Sequence, residues 1–135
     1  MGFCLTPFKA GKPDVKLDAK AEALLSSGSP YKTQIKSGSR GRGLVVQDVA
    51  APHDVVWSRI LDFDHYTSMV PRTVLSENYS VRGGREKEIK TRMKLSVVVT
   101  QMEFFIRHVH YPSKNSLTWT LDYDRKSDID DSCGF

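Results

Sequence analysis

The stretch Glu88-Ile89-Lys90-Thr91-Arg92-Met93-Lys94-Leu95 alternates charged and uncharged side chains without a break, and it restricts the fold more than any other feature of the chain. A period of two puts Ile89, Thr91, Met93 and Leu95 on one side of an extended backbone and Glu88, Lys90, Arg92 and Lys94 on the other. A strand with one dry and one wet face belongs to an antiparallel sheet, because parallel strands are covered on both sides. Ile89, Met93 and Leu95 are therefore expected to point inward, and Lys90, Arg92 and Lys94 outward.

Such a strand needs neighbours, and the flanking sequence supplies them. Arg82-Gly83-Gly84-Arg85 is a hairpin turn whose glycines accept the positive φ it requires, and Thr73 to Val81 before it is a strand. Downstream, Met102 to Tyr111 forms the next strand and Pro112 to Asn115 its turn. Leu117-Thr118-Trp119-Thr120-Leu121-Asp122-Tyr123 alternates again, with Leu117, Trp119, Leu121 and Tyr123 on the bulky side. The acidic Ser127 to Asp131 turn leads into Ser132 to Phe135, the start of one more strand. Val97 to Val99 is expected as strand or core, with an apolar loop tip dipping into a membrane as the other reading.

Upstream, helical spacing of Leu17, Ala21, Leu24 and Leu25 predicts a helix over Val15 to Leu25, stopped by Ser26-Ser27-Gly28-Ser29-Pro30. Tyr31 to Lys36 is an edge strand, Ser37 to Gly43 a Gly/Ser/Arg loop, and Gly43 to Ala50 a strand rich in branched residues. Pro52 suits the first helical position, where its missing N–H costs nothing. The helix it opens runs to Asp62 and carries Val56, Trp57, Ile60 and Leu61 on one face, which is expected to pack on the sheet. After it, Asp62 to Arg72 lapses into a non-helical stretch unusually rich in large apolar groups. The organisation expected is a basic extension over residues 1–42 and a folded domain over 43–135.

The totals exclude several functions. With 135 residues, 39% of them hydrophobic and 27% charged, the chain has the size and balance of one globular domain. The net charge of +4 suggests nucleic acid until it is divided. Residues 1–43 hold eight Lys/Arg against three Asp/Glu, and residues 44–135 twelve against thirteen, so the basicity lies in the N-terminal arm and nucleic acid is not an expected partner. Cys4 and Cys133 have no repeated spacing, which indicates neither a disulfide framework nor a zinc site and fits a reducing compartment. Met1-Gly2-Phe3-Cys4-Leu5-Thr6 meets the N-myristoylation pattern formally, but Phe3 and Pro7 disfavour it. Residues 1–14 lack the periodicity and apolar area to contribute much to the fold.

Taken in order, the strand, Ala51-Pro52, the Trp57 helix, Asp62 to Tyr66, Met69-Val70-Pro71 and the run of antiparallel strands resemble the START-like helix-grip superfamily. The closest likeness is to its coenzyme Q-binding and polyketide cyclase/dehydrase branch. The resemblance covers Gly43 to Phe135. It implies an α+β fold with a curved antiparallel sheet, a helix after the first strand, and a C-terminal helix gripped by the sheet around an apolar cavity. The sequence stops before that helix, so a partner chain completing the fold is one expectation. The implied function is binding or transfer of a lipid or isoprenoid quinone. Phe63, Tyr66, Met69, Val70, Pro71, Met93, Trp119 and Leu121 are the expected ligand-binding residues, with peripheral membrane contact and an intracellular, organellar or membrane-associated location. The alternatives are a cyclase or dehydratase using Tyr66 or Arg107, and a non-catalytic interaction subunit.

Other chemistry has little support. His108 and His110 share a strand face at a spacing a metal tolerates, but no third ligand stands nearby, and two half-exposed strand histidines are expected instead. Asp122, Asp124, Asp128, Asp130 and Asp131 lack the glycine and closing glutamate of a calcium loop, so a solvated turn is expected. His65, Tyr66 and Arg107 could serve as acid, base and oxyanion partner in a cyclase, but their spacing does not demand it and no nucleophile with its own base and orienter can be named. No metal, cofactor or catalytic residue is expected.

Overall fold

A computed structural model describes residues 5–38 and 40–135. Its elements are α1 (Ala19–Ser26), β1 (Tyr31–Ser37), β2 (Arg40–Val46), α2 (His53–Ile60), a 3-10 turn (Phe63–His65), α3 (Tyr66–Met69), β3 (Thr73–Arg82), β4 (Lys87–Val97), β5 (Thr100–Tyr111), a second 3-10 turn (Pro112–Lys114), β6 (Ser116–Leu121) and β7 (Cys133–Gly134). The fold is α+β. A five-stranded antiparallel sheet runs in chain order from β3 to β7, and β1 and β2 form a separate two-stranded sheet. The chain groups into two compact units: Asp14–Arg59, and Ile60–Phe135 together with the described part of the N-terminal arm.

In the first unit, the Asp18 side chain caps α1 by accepting from the Ala21 N–H at 2.8 Å, so the helix begins later than Val15. Gly28, at φ 84, closes it with help from a Ser29 N–H donated to the Leu24 carbonyl. The segment expected as a loop, Ser37 to Gly43, is largely strand: β2 begins at Arg40 and pairs with β1 from Ser37↔Arg40 to Tyr31↔Val46. The branched strand expected to open the main sheet is therefore half of a separate hairpin. The α2 helix buries none of its residues. Trp57 is half-buried, donating Nε1–H to His53 Nε2 at 3.1 Å, and Ile60 is exposed. The expectation of a buried Trp57–Ile60 face is corrected, and Trp57→Ala does not carry the cost of a fully buried site.

In the second unit, the alternation sets the register. Ile89, Thr91, Met93 and Leu95 stand opposite His108, Ile106, Phe104 and Met102 of β5. Ile106 and His108 in turn face Leu121 and Trp119 of β6. Ile89 and Met93 are buried and Leu95 half-buried, while Lys90, Arg92 and Lys94 lie on the other face, all partly exposed. The short β6 pairs only with the far half of β5. The near half of that edge is met by the Asp122–Asp128 segment, through Asp122 N–H to the Phe105 carbonyl (2.8 Å), Asp128 N–H to the Glu103 carbonyl (2.8 Å) and the Phe105 N–H to Ser127 Oγ (3.0 Å). The acidic turn is solvated as expected, with Asp124, Asp128 and Asp130 exposed, and its backbone also bonds the edge of the sheet.

Three further expectations change. Val98 and Val99 are neither strand nor core. They form the two-residue loop between β4 and β5, whose last pair is Val97↔Thr100, and both are fully exposed. Tyr123 leaves the bulky strand face because β6 ends at Leu121, and it is exposed. The N-terminal arm is tied down: the Leu5 N–H donates to Asp131, Cys133 Sγ–H donates to the Thr6 carbonyl at 3.5 Å, and the Phe8 and Phe135 rings meet at 4.9 Å. The myristoylation motif and Cys4 extend outside the described residues.

Candidate functional site

The apolar face of β3–β7 is partly covered by the segment that follows α2. Phe63 is only 2% exposed and packs with Ile89, Met93, Phe104, Ile106 and Leu121 in one cluster. Leu61, Tyr66, Leu95, Met102, Leu117, Trp119 and Ile129 pack against that cluster while remaining half-buried. The lapse in pattern at Asp62 conceals two short helical elements, the 3-10 turn at Phe63–His65 and α3. They exist because Phe63 and Tyr66, three residues apart, must turn to the same side. Their rings lie 5.0 Å apart, and the Tyr66 hydroxyl donates to the Ile60 carbonyl at 2.5 Å. Burial, and secondarily the charge of Asp62, raises the Tyr66 pKa above its ordinary value.

Polar groups on this face are few, and most have partners. Ser76 Oγ donates to the Phe63 carbonyl at 2.5 Å, and Thr91 Oγ1 to Asn78 Oδ1 at 3.0 Å. His108 differs. Its ring stacks on Phe63 with centroids 3.9 Å apart and planes at 17°, it is 5% exposed, and neither ring nitrogen has a hydrogen-bond partner among the described residues. Burial pushes its pKa down to about 3, so the imidazole is neutral. The two histidines expected to be half-exposed are thus a buried His108 and a partly buried His110, whose pKa is also lowered, by burial and by Lys87.

The opposite face is polar but not empty. Tyr79, two residues on from Glu77 and at a bulge between Asn78 and Ser80, lies on it, where the phenol donates to Asp122 Oδ2 at 2.6 Å and the ring meets Phe105 edge-on at 5.8 Å. The Arg125 guanidinium stands 4.5 Å from the Tyr79 centroid and 5.6 Å from that of Phe105. Lys90 Nζ lies 3.5 Å from Asp122 Oδ2. Burial pushes the Asp122 carboxyl up, but the hydrogen bonds from Tyr79 and the Asp124 N–H and the charge of Lys90 outweigh it, leaving its pKa below the ordinary range. Burial and the bond to Asp122 push the Tyr79 phenol well up. Further along, Arg92 bridges Glu103 (2.7 Å) and Glu77 (3.2 Å), and Arg107 pairs with Glu88 at 2.6 Å.

Of the eight residues expected at a ligand site, Phe63, Tyr66, Met93, Trp119 and Leu121 come together on the apolar face. Met69, Val70 and Pro71 do not join them and are exposed after α3. Arg107 is on the polar face, away from Tyr66, and the exposed His65 faces Asp62 at 2.6 Å, so the acid, base and oxyanion trio is not assembled. Among the described residues no group of three or more His, Cys, Asp or Glu stands where it could hold a metal ion. Sequence reasoning missed the Tyr79–Asp122–Lys90 cluster and the place of His108 at the centre of the apolar face. The available signal for the second was the two-residue spacing of His108 from Ile106, which sets both on one face. No family model, curated protein or solved structure matches the chain.

Proposed function

We propose that this protein binds a hydrophobic small molecule, of lipid or isoprenoid character, against the apolar face of its five-stranded sheet. The observation that carries this reading is the incomplete cover of that face: Leu95, Met102, Leu117 and Trp119 remain half-buried beside a core of Phe63, Met93, Phe104 and Leu121. Removing apolar surface from water yields roughly 25 cal/mol per Å², so a chain laid along these side chains would gain affinity from area alone. In the helix-grip arrangement implied by the START-like resemblance, a helix would cross this same face. A further segment or a partner chain could supply it, and the ligand would lie between helix and sheet. Met69, Val70 and Pro71 would then form the rim.

The test is displacement of the fluorescent probe N-phenyl-1-naphthylamine by long-chain lipids and isoprenoids. Wild-type protein is expected to take up the probe and release it to the competitor. Trp119→Asp, with its fold checked by circular dichroism, is expected to lose uptake, whereas Arg92→Ala on the polar face retains it. Absence of uptake by the wild type, or equal uptake by Trp119→Asp, defeats the reading.

A peripheral membrane contact is a second reading, carried by Val98 and Val99, two branched apolar residues wholly in water at a hairpin tip. Flotation with vesicles should then weaken in a Val98→Asp, Val99→Asp variant whose probe binding is unchanged. Equal flotation of the two proteins would remove this contact.

A further inference from the structure

We propose that His108 is the polar anchor of the ligand site, a hydrogen-bonding ring set in the apolar face to select hydrophobic molecules that carry one neutral oxygen, a carbonyl or a hydroxyl, over plain hydrocarbons. The inference rests on the ligand-binding reading above and adds to it the class of ligand.

Three other polar side chains of the face are committed to partners of their own. Ser76 is committed to the Phe63 carbonyl, Thr91 to Asn78 and Tyr66 to the Ile60 carbonyl. His108 stands between Ile89 on β4 and Trp119 on β6, with the Phe63 ring flat against it, and both of its nitrogens lack a hydrogen-bond partner among the described residues. A neutral imidazole holds one N–H donor and one acceptor, and leaving both unmatched in an apolar interior is costly. A residue serving only to fill that volume would do so better as Phe or Leu. A buried polar group that remains unsatisfied in a native fold calls for a reason, and a ligand oxygen supplies one. The N–H would donate to a carbonyl, and the same ring could both donate to and accept from a hydroxyl. A carboxylate fits poorly, because burial around His108 disfavours charge.

The matched probes are 2-dodecanone, 1-dodecanol, dodecane and dodecanoate, each competing with N-phenyl-1-naphthylamine on the full chain. Wild type is expected to prefer the ketone and the alcohol over dodecane by about tenfold, the ratio that one net hydrogen bond supports. His108→Phe should bind the ketone and the alcohol no better than dodecane, and His108→Gln should restore part of the preference. Equal affinities in wild type, a preference for dodecanoate, or a preference that survives His108→Phe overturns the anchor while leaving hydrophobic binding intact. Failure of wild type to bind any of the four overturns the ligand-binding reading and this inference with it. Should the Phe variant not fold, the imidazole 15N shifts of His108 in wild type decide. They are expected to move on adding 2-dodecanone and to stay put with dodecane, and a ring unmoved by the ketone overturns the anchor.

Discussion

On one face of the five-stranded sheet Ile89, Met93, Phe104, Ile106 and Leu121 close around Phe63; on the other Lys90, Arg92, Glu103 and Asp122 are joined in ion pairs, with Tyr79 and Arg125 over Phe105. The same strands build both faces, one residue out of phase. The apolar face gains free energy by excluding water, a gain that grows with area and does not depend on geometry. The polar face gains little net, since its charges give up hydration roughly in proportion to what they recover by pairing. Each face also holds an exception. His108 is a polar ring among hydrocarbon, and Phe105 is a hydrocarbon ring among charges. Phe105 is covered by Tyr79 and Arg125, whereas the His108 nitrogens are matched by nothing among the described residues. The faces therefore differ in completeness as well as polarity, and the less complete one is where a ligand is expected.

The largest effect should come from the centre of the apolar face. Phe63→Ala is expected to cost about 3–5 kcal/mol, read from a urea midpoint, because a wholly buried ring is lost and the sheet cannot collapse onto the void. A cost under 1 kcal/mol would show that the face is not held closed by Phe63. On the polar face, Asp122→Ala should cost about 1–3 kcal/mol by leaving the Tyr79 phenol and Lys90 without their shared acceptor. The Asp122 pKa is depressed in the fold, so its contribution is present above the ordinary carboxyl value of 3.8 and is lost as pH falls through the folded value. The variant should accordingly lose less stability than wild type on acidification below pH 4.

His108 gives an acid dependence at a higher pH. Below its ordinary value of 6.5 the unfolded imidazole takes a proton that the folded one refuses until about 3, so the unfolded state binds more protons across that window. Stability should fall with pH there by at most about 1.4 kcal/mol per unit, and His108→Phe should flatten the slope. An identical slope in the variant would place His108 in water. The smallest effect is expected from Arg107→Ala, which removes the exposed pair with Glu88 and should change stability by less than about 1 kcal/mol. A larger loss would mean that the polar face contributes more to the fold than its exposure implies.

The central hairpins were legible because a period of two survives any register, and Gly83-Gly84 marks its own turn. The turn at Val98-Val99 was not, because it carries neither glycine nor asparagine and its branched residues favour strand. Phe63 to Met69 was legible as apolar but not as helical, since its two elements are each barely one turn long. The site divided in the same way. The inward side of Met93, Trp119 and Leu121 follows from strand alternation, whereas Phe63 and Tyr66 stood only in an apolar stretch that the resemblance set at a cavity. The exposure of Met69, Val70 and Pro71 depends on where α3 ends, and the Tyr79–Asp122 bond joins residues 43 apart, a pairing that leaves no local mark. His108 and His110 were legible as sharing a face, but which face required the pairing with Ile89 and Trp119.

Photo-crosslinking tests the central claim most directly. The protein is incubated with a long-chain ketone bearing a terminal diazirine, illuminated, digested and mapped by mass spectrometry. Labelling is expected on the apolar-face residues Met93, Leu117 and Trp119 and on Phe63, with competition by unlabelled 2-dodecanone and none on Arg92 or Arg107. Labelling confined to the polar face, or none above that of an unfolded control, would contradict a ligand site on the apolar face of the sheet.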